Sequence, residues 1–235
     1  MAMTAASFAA GLAIGPIGGG GGNTNSVTVF NDELVTMTST VLNGADEVHF
    51  DVLNADSQVV YSGVSPVQDG QASFTWIPLF DGTFTVNAES YLQGSMLSTE
   101  LVSFGQVVRP DASGFITGGG WYQANGARDT FGFVAQVLGN GTIRGNLEFQ
   151  DHSGYNIKST VVDWVYSPNL RDGYFTGYCK LNGAGNYRFM VHVIDNGEPG
   201  TNDWLELWVY DPVTGALLYQ YQNTLSGGNV QVKKK

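Results

Sequence analysis

The strongest constraint on the fold is an alternation of apolar and polar residues with a period of two along most of the 235-residue chain. In NYRFMVHV, residues 186–193, the apolar side chains of Tyr187, Phe189, Val191 and Val193 occupy every second position. Successive side chains of a β-strand point to opposite faces, so this period predicts strands with one buried face. No segment of ten or more residues combines helical spacing with capping residues. The sequence therefore predicts an all-β protein.

Turn sequences separate the alternating runs and help to divide the chain into parts. Asn-Gly or Asp-Gly pairs stand between runs, because these residues tolerate the positive φ of tight turns. They occur at residues 43–44, 69–70, 81–82, 140–141 and 172–173. The stretch VVRPDASG, residues 107–114, has the composition of a linker. We therefore predict an N-terminal tail and two domains, with the bounds 1–22, 23–109 and 110–235.

The distribution of charge changes at the same boundary. Residues 1–110 contain ten acidic residues and one basic residue, a net charge of −9, whereas residues 111–235 contain eleven and nine, a net charge of −2. An acidic chain repels phosphate backbones, so we expect no binding to nucleic acid. Cationic partners such as Ca²⁺ are compatible with this charge. The single cysteine, Cys179, excludes a disulfide within the chain.

The first domain contains about seven short alternating runs, a number typical of an immunoglobulin-like β-sandwich. Its segment DGQASFTWIPLFDGTFTVNAES, residues 69–90, resembles the closing hairpins of bacterial immunoglobulin-like repeats. Those hairpins carry a Gly-Thr-Phe/Tyr-Thr-Val-x-Ala run, which lies here at residues 82–88. The resemblance implies a sandwich in which Trp76 and Phe84 belong to the core.

The second domain contains successive strands joined by short turns, a pattern typical of a meander that forms a barrel or a two-layer sandwich. Five of its segments occur in a distinctive order and spacing: GFITGGGWY (114–122), TFGFVAQV (130–137), GNLEFQDHSGYNIKST (145–160), YRFMVHVIDNGEPGTND (187–203) and LSGGNVQVKK (225–234). They resemble the post-COAP module that follows choice-of-anchor regions in prokaryotic surface proteins, and the pair DNGEPG and GGN-x-x-x-K is the most distinctive part. The resemblance implies a secreted or surface-attached β domain, and it does not imply any enzymatic reaction.

The densest polar cluster is the acidic loop within VIDNGEPGTND, residues 193–203. Asp195, Asn196, Glu198 and Asp203 offer the oxygen ligands that Ca²⁺ prefers, and glycines permit sharp bends between them. The spacing is not that of an EF-hand. In the alternative interpretation, these side chains cap the backbone of a hairpin loop.

An aromatic row follows this loop in WLELWVY, where Trp204, Trp208 and Tyr210 share one strand face with Glu206. An exposed row of this kind could stack on sugar rings. The opposite face, Leu205–Val209, is also apolar at alternate positions. A strand that is apolar on both faces is more often buried in a core or at an interface. Both interpretations stay open at this point.

The tail contains AAGLAIGPIGGGGGN, residues 9–23. Its large apolar residues Phe8, Leu12 and Ile14 share one face of an alternating segment, and the other face carries only small residues. Such a strand suits donor-strand complementation, in which it pairs with an open sheet edge of a neighbouring subunit. The five glycines would form a tether. A signal-sequence remnant and a tail that is disordered or docks on its own chain are the alternatives, and the segment is too short for a transmembrane span.

No motif predicts catalysis, because the three histidines lack ligand spacing and no two acidic residues stand out as a pair. We therefore expect a non-enzymatic, extracellular or cell-surface structural protein of a prokaryote. Its main partner would be its own subunits, joined by strand donation into a filament or array. The alternative is an adhesin or carbohydrate-binding module that recognises surface glycans and carries a calcium-braced loop.

Overall fold

The computed structural model describes residues 12–19, 24–124 and 127–233. The chain divides into two compact units, Met1–Arg109 and Pro110–Lys235. The described residues form seventeen β-strands and one short 3-10 helix, Gly200–Asn202. None of the described helical residues form a segment long and apolar enough to cross a membrane. The prediction of an all-β protein is confirmed.

The described residues of the first unit form eight strands in two small sheets. One sheet has the order β1-β3-β6, and the other has the order β2-β8-β7-β4-β5. Strand β2 runs parallel to β8, and β1 runs parallel to β3, while the other pairs are antiparallel. The strands are β1 Leu12–Ala13, β2 Asn25–Phe30, β3 Val35–Thr40, β4 Glu47–Asn54, β5 Val59–Pro66, β6 Gln71–Trp76, β7 Gly82–Leu92 and β8 Ser95–Val108.

One apolar core lies between these two sheets, and alternation along each strand supplies its side chains. Phe50 and Phe84 are fully buried, and Trp76 packs edge-on against Phe84 with 5.3 Å between ring centroids. The core positions predicted for Trp76 and Phe84 are therefore confirmed. Met37 contributes from the smaller sheet and is also fully buried. The alternating runs in this half of the sequence formed strands because one face of each could be buried in a shared core.

The second unit is one nine-stranded antiparallel sheet with the order β16-β15-β14-β13-β12-β11-β10-β9-β17. It is a meander in which consecutive strands pair, and only β17 departs from this order by pairing with β9. The strands are β9 Phe115–Ala124, β10 Ala127–Val137, β11 Ile143–Asp151, β12 Tyr155–Tyr166, β13 Asp172–Leu181, β14 Ala184–Ile194, β15 Trp204–Tyr210, β16 Leu217–Thr224 and β17 Gly227–Lys233.

This sheet curves around its own core into a half-barrel. Tyr122 of β9 and Tyr221 of β16 lie near opposite ends of the strand order, yet their ring centroids are 5.1 Å apart. Phe175 and Phe189 are fully buried on the inner face. Cys179 is buried in the same core, where burial raises the pKa of its thiol to about 12. A single curved sheet, rather than two stacked layers, therefore encloses the second core.

Candidate functional site

The segment Leu12–Ile17, called here the docking segment, lies along the edge of β3 that faces away from β6. The backbone N–H of Ile14 donates to the carbonyl oxygen of Thr38 at 2.9 Å. The N–H of Ile17 donates to the carbonyl oxygen of Thr40 at the same distance of 2.9 Å. Without this segment, β3 would pair only with β6 and would present an open edge.

The docking segment also reaches the larger sheet. The N–H of Gly15 donates to the carbonyl oxygen of Val102 in β8 at 2.7 Å, and the carbonyl oxygen of Gly15 accepts from the Ser39 hydroxyl at 2.6 Å. Directly after the segment, the N–H of Gly18 donates to a carboxylate oxygen of Glu100 at 2.6 Å. The segment therefore connects both sheets of the first unit.

The side chains of the docking segment complete the first core. Ile14 is 5% exposed and Ile17 is fully buried, and both belong to the same apolar cluster as Met37 and Val102. Leu12 is half-buried against this cluster. Burial of one isoleucine side chain stabilises a fold by about 1.5–3 kcal/mol, so these two residues are a substantial part of the core.

The docking segment is the site where the sequence prediction and the structure can be compared most directly. Leu12 and Ile14, predicted for a polymerisation strand, pair with and pack on their own unit. Phe8, the third predicted residue, lies outside the described residues. The anchors Ser39, Val102 and Glu100 were missed, because no local pattern links a terminal segment to residues so far along the chain.

The acidic loop, residues 195–203, packs against the closing strand β17. Both carboxylate oxygens of Asp203 accept backbone hydrogen bonds, one from Asn196 at 2.8 Å and one from Val230 of β17 at 2.7 Å. Asp203 is fully buried, and this burial raises the pKa of its carboxyl group, while the two N–H donors oppose the rise. Asp195 likewise accepts from the backbone of Gly197 at 2.9 Å and of Val232 at 3.1 Å.

The two remaining predicted calcium ligands are also engaged in protein contacts. The amide of Asn196 accepts from Arg171 at 3.2 Å, and a carboxylate oxygen of Glu198 accepts from the Asn229 amide at 2.8 Å. In the described part of the chain, no three acidic, histidine or cysteine residues form a group that could hold a metal ion. The side-chain oxygens of these four residues fasten the loop to itself, to β17 and to Arg171. Calcium binding here stays a prediction.

The aromatic row lies in β15, between β14 and β16. Trp208 is 1% exposed and Tyr210 is fully buried, whereas Trp204 is half-buried. Its opposite face, with Leu205 and Leu207, lies in the second core. Stacking of Trp208 or Tyr210 on a sugar would require their faces to become accessible. Their use as a ligand platform stays a prediction, and the described geometry has the features of a core or an interface.

A buried carboxyl group lies within this row. Glu206 is fully buried, and one of its oxygens accepts from the Gln220 amide at 3.1 Å, while the other has no hydrogen-bond partner. Burial raises the pKa of the Glu206 carboxyl group. His192 faces it from β14 and lies 3.6 Å from Asp172. Burial lowers the pKa of His192 despite this acidic neighbour.

Comparisons with known protein families, curated proteins and solved structures find no match to this chain. The resemblances to bacterial immunoglobulin-like repeats and to the post-COAP module therefore stay predictions that depend on the quoted sequence motifs. The function has to be inferred from the geometry of the chain itself, and the docking segment is its most informative part.

Proposed function

We propose that this protein is an extracellular structural subunit of a prokaryotic surface filament or array, assembled by exchange of the docking segment between copies. One observation carries the proposal: the docking segment supplies buried residues to the first core but is joined to β2 through a sequence that contains five consecutive glycines. A glycine-rich connection restricts the path of a chain least, so the same segment could reach an equivalent site on another copy.

The exchange would preserve the contacts described for the single chain. A segment from a second copy would donate to the carbonyl oxygens of Thr38 and Thr40 and would bury Ile14 and Ile17 in the same core. Because the contacts are the same, exchange of an element between protomers has a low free-energy cost. If each copy gives its segment to the next, the contact is head-to-tail and extends into an open polymer unless it closes into a ring.

We further propose that the first unit is an immunoglobulin-like sandwich. The order β8-β7-β4-β5 corresponds to the G-F-C-C′ order of variable-type immunoglobulin sheets, and the pair β3-β6 corresponds to strands B and E. In this assignment the docking segment takes the position next to strand B. A sandwich that lacks the strand at this position has an open edge and an incomplete core, which is the arrangement that strand donation requires.

A cysteine cross-link between chains tests the exchange. Ala13 lies directly opposite Thr38 in the register of β1 and β3, so Ala13→Cys and Thr38→Cys place two thiols within disulfide range. The two single variants are unfolded, mixed, refolded and oxidised, and the products are separated on a non-reducing gel. We expect a disulfide-linked dimer of one Ala13→Cys chain and one Thr38→Cys chain, and a ladder of higher species from the double variant.

The matched control replaces Thr36, which lies in the same strand two residues away and opposite Thr75. Thr36→Cys mixed with Ala13→Cys should give no dimer, and neither should the unmodified chain, because Cys179 is buried. If the double variant forms only a disulfide within one chain and the mixed single variants form none, the segment stays on its own unit. That outcome would refute exchange of the docking segment.

A further inference from the structure

An open groove crosses the outer face of the second unit where β10, β11 and β12 run side by side. Its volume is about 440 Å³, within the range of about 300–1,000 Å³ found for small-molecule sites. The register places Gly132 opposite Glu148 and Glu148 opposite Lys158. A second row of paired residues, Thr130, Gln150 and Asn156, lies beside the first. The polar residues that line the groove are Thr130, Asn146, Glu148, Gln150, Asn156 and Lys158.

Gly132 forms part of the groove and is not explained by the packing of the protein. A Cβ atom at Gly132 would meet no other atom within 4 Å. Other strand glycines of this unit differ, since a Cβ would lie 2.4 Å from a backbone atom at Gly145 and 2.0 Å at Gly177. Glycine in a strand interior destabilises a fold by about 0.5–1 kcal/mol relative to alanine and often marks a bulge, a tight bend or the close approach of a ligand or another backbone. The register of β10 is regular at Gly132 with both neighbouring strands. The open space above Gly132 is therefore available to a bound molecule.

The chemistry of the groove fits a ligand that is rich in hydroxyl groups. The side-chain amides of Asn146, Gln150 and Asn156 each offer donors and an acceptor. Within the described part of the chain, none of these three side-chain amides forms a hydrogen bond. Side-chain amides in turns do form hydrogen bonds; the Asn43 amide nitrogen, for example, donates to the Ser90 hydroxyl oxygen at 2.7 Å. The groove thus contains unused hydrogen-bonding groups of both kinds.

The charges of the groove balance each other. The ammonium group of Lys158 lies 2.6 Å from a carboxylate oxygen of Glu148, and both side chains are exposed. The chain as a whole has a net charge of −11, which disfavours an anionic ligand. We propose that this groove binds an uncharged saccharide of one or two sugar units through the amide row, with the ring seated over Gly132. The site lies in the second unit and does not depend on exchange of the docking segment.

A glycan array of neutral and acidic oligosaccharides, probed with the full chain and two glycine variants, tests this site. Gly132→Val places its Cβ in the open space of the groove and puts a β-branched residue in a strand, so the fold should be retained. Gly139→Val is the matched control, because a Cβ there also meets open space and the residue does not line the groove. Thermal melting of the three proteins checks that they are equally folded.

The expected result is retention of at least one class of neutral glycan by the unmodified chain and by Gly139→Val. Gly132→Val should bind that glycan at least tenfold more weakly in a calorimetric titration. Gln150→Ala, which removes one exposed amide without filling the groove, should also weaken binding. Absence of any retained glycan, retention of acidic glycans only, or equal binding by Gly132→Val and the unmodified chain would overturn the proposal. The cysteine cross-link reports on assembly separately, so the two proposals can fail independently.

Discussion

The two units differ in which part of the chain covers the edge of their sheets. In the first unit, the edge of β3 is covered by a docking segment that is separated from β2 by a run of glycines. In the second unit, consecutive hairpins form the sheet and β17 follows β16 directly to pair with β9. A sheet of sequential hairpins is completed by its own chain. A unit that is completed by a tethered terminal segment can instead be completed by the same segment of another copy, which is the basis of the proposed assembly.

The largest expected effect is the loss of a core residue from the docking segment. Ile17→Ala leaves a cavity at a fully buried position and should lower the stability of the first unit by about 2–5 kcal/mol. Hydrogen exchange followed by mass spectrometry should show lower protection in β3 and β8 and unchanged protection in β10–β14. Val64→Ala, at a position that is 60% exposed, is the control and should change stability by less than about 0.5 kcal/mol. Equal effects of the two substitutions would show that the segment is not part of the core.

A smaller effect is expected where the second unit fastens its closing strand. Asp203→Asn should cost on the order of 1–3 kcal/mol, because an amide offers one acceptor oxygen and Asp203 uses both oxygens for backbone donors. Asp211→Asn is the matched control, since a single oxygen of Asp211 accepts from both Val213 and Thr214. Urea unfolding of the variants measures the difference. If the Asp203→Asn and Asp211→Asn chains are equally stable, the two hydrogen bonds of Asp203 do not stabilise the position of β17.

Thermal melting with and without calcium tests the other interpretation of the acidic loop, as a calcium site. Since the oxygens of Asp195 and Asp203 already accept backbone hydrogen bonds, we expect addition of calcium to shift the melting temperature very little relative to a chelator. A clear stabilisation by calcium, lost in Asp203→Asn, would instead support the predicted metal site. Either result decides between a capped loop and a calcium-braced loop.

The smallest expected effect depends on pH and concerns Glu206. The folded-state pKa of this carboxyl group is raised, so the folded chain holds its proton more tightly than the unfolded chain does. Stability therefore falls as the pH rises from the ordinary pKa of Glu through the folded pKa. Glu206→Gln removes this fall, so the stability of the variant relative to the unmodified chain should be higher at pH 8 than at pH 5.

Other titrating groups lie near Glu206, so the pH dependence of stability is measured as a difference between the variant and the unmodified chain. His192 faces it from β14, and Asp172 lies 3.6 Å from His192. Since both are present in the variant and in the unmodified chain, their contribution largely cancels when the two are compared by urea unfolding at each pH. A stability difference that does not change between pH 5 and pH 8 would contradict a raised pKa at Glu206.

Local patterns in the sequence predicted the strands well. The alternating runs between residues 26 and 108 correspond to strands β2 to β8, and Trp76 and Phe84 lie in the core as expected. In the second unit, the Asn140-Gly141 turn lies between β10 and β11 as expected, whereas the turn expected at Asp172-Gly173 is wrong, because both residues lie in β13. The correct predictions succeeded because alternation and turn chemistry act between residues that are neighbours in the chain.

The sites depended on partners that are distant in the sequence. The acidic residues of the loop formed one cluster in the sequence, but only the fold brought them to the backbone of β17 at Val230 and Val232. The groove above Gly132 exists because three strands meet in one register, and no local motif marks it. For the aromatic row, the sequence favoured a core or interface over a sugar platform but left both open, and the burial of Trp208 and Tyr210 came only from the fold.

By itself, the sequence determined that this chain is all-β, where most of its strands lie, and that the tail segment with Leu12 and Ile14 has the alternation of a strand. Only the tertiary structure decided what that strand covers: the edge of β3, with Ile14 and Ile17 completing the first core. The physical reason is that strand formation follows from a local period of two. The choice of partner follows instead from buried area and hydrogen bonds between segments that the sequence separates.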